Sequence, residues 1–174
     1  MDMFVHCSVD NFQALEAALK QHAALPRSAA TDLTKLVDSQ HNTLMHACAQ
    51  QGSLQCIQVI AKYVPALVTQ RHAIAHTEPL HMAVSAGNVT TAHCLLTGGA
   101  NPNSTWPDPA LSVVGEAPVL TTPLATAIVK TNGPLLNLLL KAGAKVDPMA
   151  LMLAIRGNQV SAVALLLDLS LIHI

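Results

Sequence analysis

Aromatic side chains are almost missing from this sequence: one Trp, one Tyr and two Phe in 174 residues. A core of stacked rings is thereby excluded. The interior must come from Leu, Ala, Val and Ile, which suit helices packed closely in thin layers. Charge is scarce as well. Asp, Glu, Lys and Arg make up 11% of the chain, against roughly 25% in ordinary soluble domains. A net charge of −1 gives no electrostatic reason to expect nucleic acid or an acidic membrane as a partner. No C-x-x-C pair occurs. Cys7, Cys48, Cys56 and Cys94 lie far apart, and Cys48 and Cys94 read as small buried hydrophobes of a reducing compartment, not as disulfides or metal ligands.

Met1 to Ser8 lacks the basic start and apolar stretch of a secretory leader. The chain is therefore read as cytoplasmic, with the nucleus as the alternative, and not secreted. The acceptor patterns Asn88-Val89-Thr90 and Asn103-Ser104-Thr105 then have no meaning for glycosylation. The apolar run Val160 to Ile174 is interrupted by Asp168 and is too short to cross a bilayer. It reads as an amphipathic helix that has lost its cover.

Catalytic signatures are absent too. The sequence contains no H-E-x-x-H, G-x-S-x-G, P-loop or G-x-G-x-x-G pattern. Its sparse carboxylates fall mostly at turns and helix starts, where they satisfy free backbone N–H groups. Nine histidines invite a metal hypothesis. His72, His76 and His81 are spaced four and five apart, with His93-Cys94 nearby, but zinc needs about four N or S ligands converging tetrahedrally. His72 and His76 fall between helical segments and His93 lies within one. We expect no enzyme, no metal and no cofactor.

What the sequence does contain is repetition. Glu78-Pro79-Leu80-His81-Met82-Ala83 is followed by Gly87, and close relatives of it begin at Thr43 (T-L-M-H-A-C) and Thr122 (T-P-L-A-T-A). A helical pair is expected in each unit. The first runs from Thr43 to Gln51 and from Ser53 to Tyr63, with Gly52 at the turn and Pro65 as the stop. Ile57, Ile60 and Ala61 recur at spacings of three and four, one buried helical face. The second runs over Glu78–Ala86 and Val89–Thr97, closed by Gly98-Gly99-Ala100-Asn101-Pro102-Asn103. The third starts at Thr122 and carries Leu135, Leu136, Leu138, Leu139 and Leu140 in its second helix. A compressed fourth spans Met149–Arg156 and Gln159–Leu167.

These motifs resemble the ankyrin-repeat family, strongly over residues 38–144. The resemblance implies an all-α solenoid of stacked helix-turn-helix units with short finger loops. The 35 residues from Thr43 to Glu78 sit close to that family's ~33-residue period. The 44 residues from Glu78 to Thr122 imply an insertion at 104–120, which holds Trp106 and three prolines. Residues 1–36 then form a degenerate N-terminal capping repeat and linker, its first helix from Asp2 to Ser8. Residues 37–168 hold about four repeats. Residues 169–174 resemble a translated sequencing adapter, so the chain is read as a fragment ending in a non-native tail.

By the same resemblance Thr43 and Thr122 cap helices, Pro79 and Pro123 open them, and His46 and His81 are structural. Leu44 in place of Pro, Glu78 in place of Thr and Ala125 in place of His depart from the motif. The implied function is protein–protein interaction as a scaffold, through the concave face of first-helix surfaces and fingertips. The alternative is a regulatory region of a larger enzyme or channel. Candidate partner contacts are Gln40, His41 and Asn42 on the first finger, and His72, Ile74 and His76 on the second. Ala47, Gln50, Gln51, Met82 and Ser85 belong to the helices, and Trp106 either binds a partner or packs over neighbouring repeats. The bare apolar end of unit four predicts self-association.

Overall fold

The computed structural model describes residues 3–24, 32–107 and 120–172, with side chains described as far as Leu167. The chain divides into two compact units, Met1–Ala100 and Asn101–Ile174, and most of its described residues lie in helices. The expected helix start at Asp2, most of the 104–120 insertion, and the side chains of the 169–174 tail lie outside the described residues.

In the first unit α1 (Met3–Ser8) and α2 (Phe12–Ala23) form one antiparallel pair. The second pair is α3 (Leu44–Gln51) and α4 (Leu54–Tyr63), and the third is α5 (Pro79–Ser85) and α6 (Val89–Thr97). The leading helices pack in a row, α1 on α3 and α3 on α5, and the second helices follow as α2 on α4 and α4 on α6. The reason is sequence spacing: each helix carries its aliphatic residues on one face too narrow to be closed by its own partner alone. Leu15, Leu19, Leu44, Met45, Ile57, Ile60, Leu80 and Leu95 are accordingly all sealed from solvent.

The turns between paired helices need one left-handed residue. Gly52 (φ 80°) and Gly87 (φ 79°) supply it without steric cost, and Asp10 (φ 50°) does so in the first pair. A 3₁₀ turn over Pro65–Val68 follows α4. The Lys35 amide closes a turn on the Asp32 carbonyl at 2.9 Å, and the Asp32 carboxylate accepts hydrogen bonds from the Thr34 amide and hydroxyl.

The second unit pairs α7 (Pro123–Val129) with α8 (Gly133–Lys141), and α9 (Pro148–Arg156) with α10 (Val160–Ile172). α7 packs on α9. Within the insertion the sequence showed no helical period, and two short strands flank it. β1 (Trp106–Pro107) pairs antiparallel with β2 (Leu120–Thr121), Trp106 opposite Thr121. Asn103 holds the unit's entry together by donating to the Gly143 carbonyl at 3.1 Å and accepting from the Lys145 amide at 2.7 Å.

Candidate interaction face

Two loops in the first unit carry half of the expected contact residues, and each is braced from within by one side chain. In the first, Asp38 Oδ1 accepts the amides of Gln40 and Asn42 at 2.8 and 2.9 Å, and Oδ2 accepts the Asn42 side-chain amide at 3.1 Å. Val37 and Thr43 close the base as an isolated antiparallel bridge. Partial burial pushes the Asp38 carboxyl upward, but the hydrogen bonds from Asn42 and Gln40 outweigh it and hold the group below the usual carboxylate range. In the second loop His72 takes the corresponding place. Its Nδ1 accepts the amides of Ile74 and Ala75 at 3.2 and 3.0 Å. Both tips reverse through a left-handed histidine, His41 (φ 63°) and His76 (φ 54°).

The loops are tied to each other and to the helices. With Nδ1 accepting, the proton of His72 sits on Nε2, which reaches the Gln40 carbonyl at 3.0 Å. The ring of His72 meets that of His46 edge to face, 5.7 Å between centroids. His46 in turn lies between the Thr43 hydroxyl, 2.8 Å from Nδ1, and the Thr77 carbonyl, 3.1 Å from Nε2. Burial pushes its pKa down to about 4, against the smaller opposing pull of the Thr77 carbonyl.

Between the first loop, α1 and α3 lies a depression of about 350 Å³. Phe4, Val5 and Ser8 of α1 form one wall, and Ala47, Gln50 and Gln51 of α3 the other. Asp38, Ser39, Gln40 and Asn42 close the loop side. The lining is uncharged apart from Asp38 and rich in amide and hydroxyl groups, a surface able to bond a polypeptide backbone. Gln40, Asn42, Ala47, Gln50 and Gln51 are among the contact candidates expected from the sequence, whereas Asp38 and Ser39 are not. Sequence reasoning missed the α1 wall, because a six-residue helix carries too little periodicity to reveal which side it presents.

The remaining candidates separate by exposure. Gln40, His41, Gln50, Gln51, Ile74, His76 and Ser85 are exposed, while Ala47 and Met82 are half-buried. Asn42 and His72 correct the expectation of free contact residues: they are 5% and 8% exposed, while Trp106, left open between binding and packing, is 7% exposed. Asn42 and His72 are turned inward by the bracing bonds just described, and Trp106 is held in the strand pair.

The motif residues lie at helix starts. Pro79 and Pro123 are the first residues of α5 and α7, and both are buried. Thr122 Oγ1 accepts the Ala125 amide at 3.2 Å and so caps α7. Thr43 departs from the capping role, because its hydroxyl is taken up by His46 and makes no bond to an amide of α3. Glu78 substitutes for Thr with a reciprocal cap: its carboxylate accepts the His81 amide, and the Glu78 amide donates to His81 Nδ1 at 2.8 Å. Arg71 Nε adds an ion pair to Glu78 at 3.4 Å.

The second unit has its own concavity, about 840 Å³, between the α7–α8 turn and α10. Leu136, Ala164 and Leu165 line its floor, and Gln159 Nε2 spans one end to the Ile128 carbonyl at 2.6 Å.

Among the described residues no group of three His, Cys, Asp or Glu side chains is placed to hold a metal ion. No helix among them is long and apolar enough to cross a membrane. No curated protein matches the chain. Residues 78–106, comprising the Glu78 cap, α5, α6 and the Asn101–Trp106 exit, match the family model of the ankyrin repeat. Such repeats are generally protein–protein interaction modules and typically non-catalytic. Residues 78–106 thus carry an ankyrin repeat, and T-L-M-H at Thr43 and T-P-L-A at Thr122 open leading helices with motifs similar to its E-P-L-H.

Proposed function

We propose that the helix pairs are the repeats of a solenoid and that the chain is a non-catalytic, cytoplasmic scaffold. It binds a protein partner through its leading-helix surfaces and fingertips. On this reading residues 1–36 are a capping repeat and linker, and residues 37–168 the repeats, with the 104–120 insertion between the second and third. The observation that carries the proposal is the polar depression between α1, α3 and the first loop. Gln40, Gln50 and Gln51 bring uncharged donors and acceptors together there on a backbone already fixed by Asp38. A partner segment gains hydrogen bonds without reorganising the loop, so little ordering entropy opposes binding. Ile74 at the second fingertip, 66% exposed, adds an apolar contact of the kind that anchors an interface.

The test is site-resolved photo-crosslinking in extract from cells that express the protein. A photoreactive residue at Gln50, Gln51 or His41 is expected to capture one shared partner, while the same residue at Gln58, exposed on α4, captures none. Capture from Gln58 alone would place binding on the opposite helices and overturn the reading.

A further inference from the structure

Three of the four cysteines meet in one place. Cys7 of α1, Cys48 of α3 and Cys56 of α4 are each 0% exposed, and Ser53 joins the first two, its amide donating to the Cys48 carbonyl at 3.0 Å and its hydroxyl to the Cys7 carbonyl at 2.6 Å. Cys56 Sγ also lies 3.7 Å from the His6 carbonyl. The positions that match Cys48 in the other repeats are Ala83 and Ala127, both fully buried. The fold therefore asks only for a small residue there, and the thiol is chemically surplus to packing.

We propose that Cys7, Cys48 and Cys56 form an oxidisable thiol site, in which a hydroperoxide converts Cys48 and one of its two neighbours into a disulfide beneath α1. In the first step a thiolate sulfur attacks the peroxide. An S–O bond forms, the O–O bond breaks, and water or alcohol leaves with the thiol's proton, giving a sulfenic acid. In the second step the neighbouring sulfur attacks the sulfenic sulfur, forming S–S and expelling water. Two thiols lose two electrons and two protons, and the peroxide takes both.

Access is gated by α1. Its neighbours Cys56 and Cys7, together with burial, push the Cys48 thiol far up, so the closed site holds thiols and not the reactive thiolate. Reaction runs through local opening of α1, a helix too short to hold together without its packing. α1 has six residues. Besides packing on α2 and α3, it is held near the site by two bonds. Ser53 Oγ donates to the Cys7 carbonyl at 2.6 Å, and the Cys56 amide donates to Asp10 at 3.3 Å. Cys94, half-buried on α6, is the internal control.

The experiment treats the full chain with hydrogen peroxide under native conditions, alkylates the remaining thiols after denaturation, and maps linked peptides by mass spectrometry. The expected product links Cys48 to Cys7 or Cys56 within one chain and leaves Cys94 alkylated. Oxidation of Cys94 with the other three still reduced would overturn the proposal, as would a Cys7–Cys56 link in Cys48→Ala. That variant keeps the residue used at Ala83 and Ala127, so it retains the fold. Ser53→Ala removes one bond holding α1 and is expected to speed disulfide formation roughly fivefold. An unchanged rate in Ser53→Ala would overturn the gate.

Discussion

His46 Nε2 lies 3.1 Å from the carbonyl oxygen of Thr77, a residue 31 positions further along the chain. The contact ties the start of one repeat to the loop preceding the next, and burial keeps the ring that makes it neutral. Its Nδ1, 2.8 Å from Thr43 Oγ1, must accept the hydroxyl proton while Nε2–H donates.

Stability should therefore fall on mild acidification. The pKa of His46 drops from 6.5 to about 4 on folding, so the unfolded chain takes up a proton first. The stabilisation is complete above pH 6.5 and is lost as the pH falls from 6.5 towards 4, by roughly 3 kcal/mol at most. Below that range the depressed Asp38 carboxyl adds a further loss in the same direction. Urea midpoints at pH 7, 5.5 and 4.5 should decline for the native protein. In His46→Leu they should start about 2–4 kcal/mol lower, because the Thr77 carbonyl loses its donor, and decline less between pH 7 and 4.5.

The turn between α7 and α8 passes through Thr131 at φ 53°, where the first unit uses Gly52 and Gly87. A β-branched residue is strained there. Thr131→Gly is expected to stabilise the second unit by about 1 kcal/mol, read as a rise in its thermal midpoint. A drop would mean that the Thr131 hydroxyl bond to the Lys130 carbonyl, 2.7 Å, outweighs the strain.

Gly52 should tolerate nothing larger. Its φ is 80°, and a Cβ there would lie 3.1 Å from the Asn88 side chain. That side chain donates to the Ala49 and Gln50 carbonyls at the end of α3. Gly52→Ala should cost about 1–2 kcal/mol through backbone strain and the displaced amide. Chemical denaturation checks the cost. Combining it with Asn88→Ala should recover part of the loss, because the amide in the way is gone.

Asp147 Oδ1 accepts the Ala150 amide at 2.6 Å and caps α9. Asp147→Ala should destabilise the second unit by about 1 kcal/mol. Amide exchange in the first turn of α9 should quicken, with exchange in α3 unchanged.

The helices were legible wherever a turn residue and a spaced aliphatic face agreed. Val89–Thr97 is reproduced residue for residue, and Gly52 and Gly87 fall where the pattern put them. In the last pair the turn falls at Gly157-Asn158, between the two expected helices, and its left-handed residue is Asn158 (φ 51°) while Gly157 stays at −78°. Sequence could not decide between two residues that both tolerate that conformation. Loop side chains were harder still. His72, Asn42 and Trp106 look like surface residues in a polar or proline-rich string. Whether they face out depends on backbone amides brought to them only by the folded loop. The strand pair at Trp106 and Thr121 is set by partners 15 residues apart, beyond the reach of any local period.

Bracing from inside has a consequence for how these loops can change. Asp38 and His72 each hold their loop by its backbone amides, and a backbone amide is offered by every residue except proline. Ser39 and Gln40 in one loop, and Ala73 to Ala75 in the other, can therefore exchange side chains while the scaffold keeps its shape. Heritable variation and directed selection would both find new recognition there at little cost in folding. The same substitutions at Asp38 or His72 would remove the frame on which such variation depends.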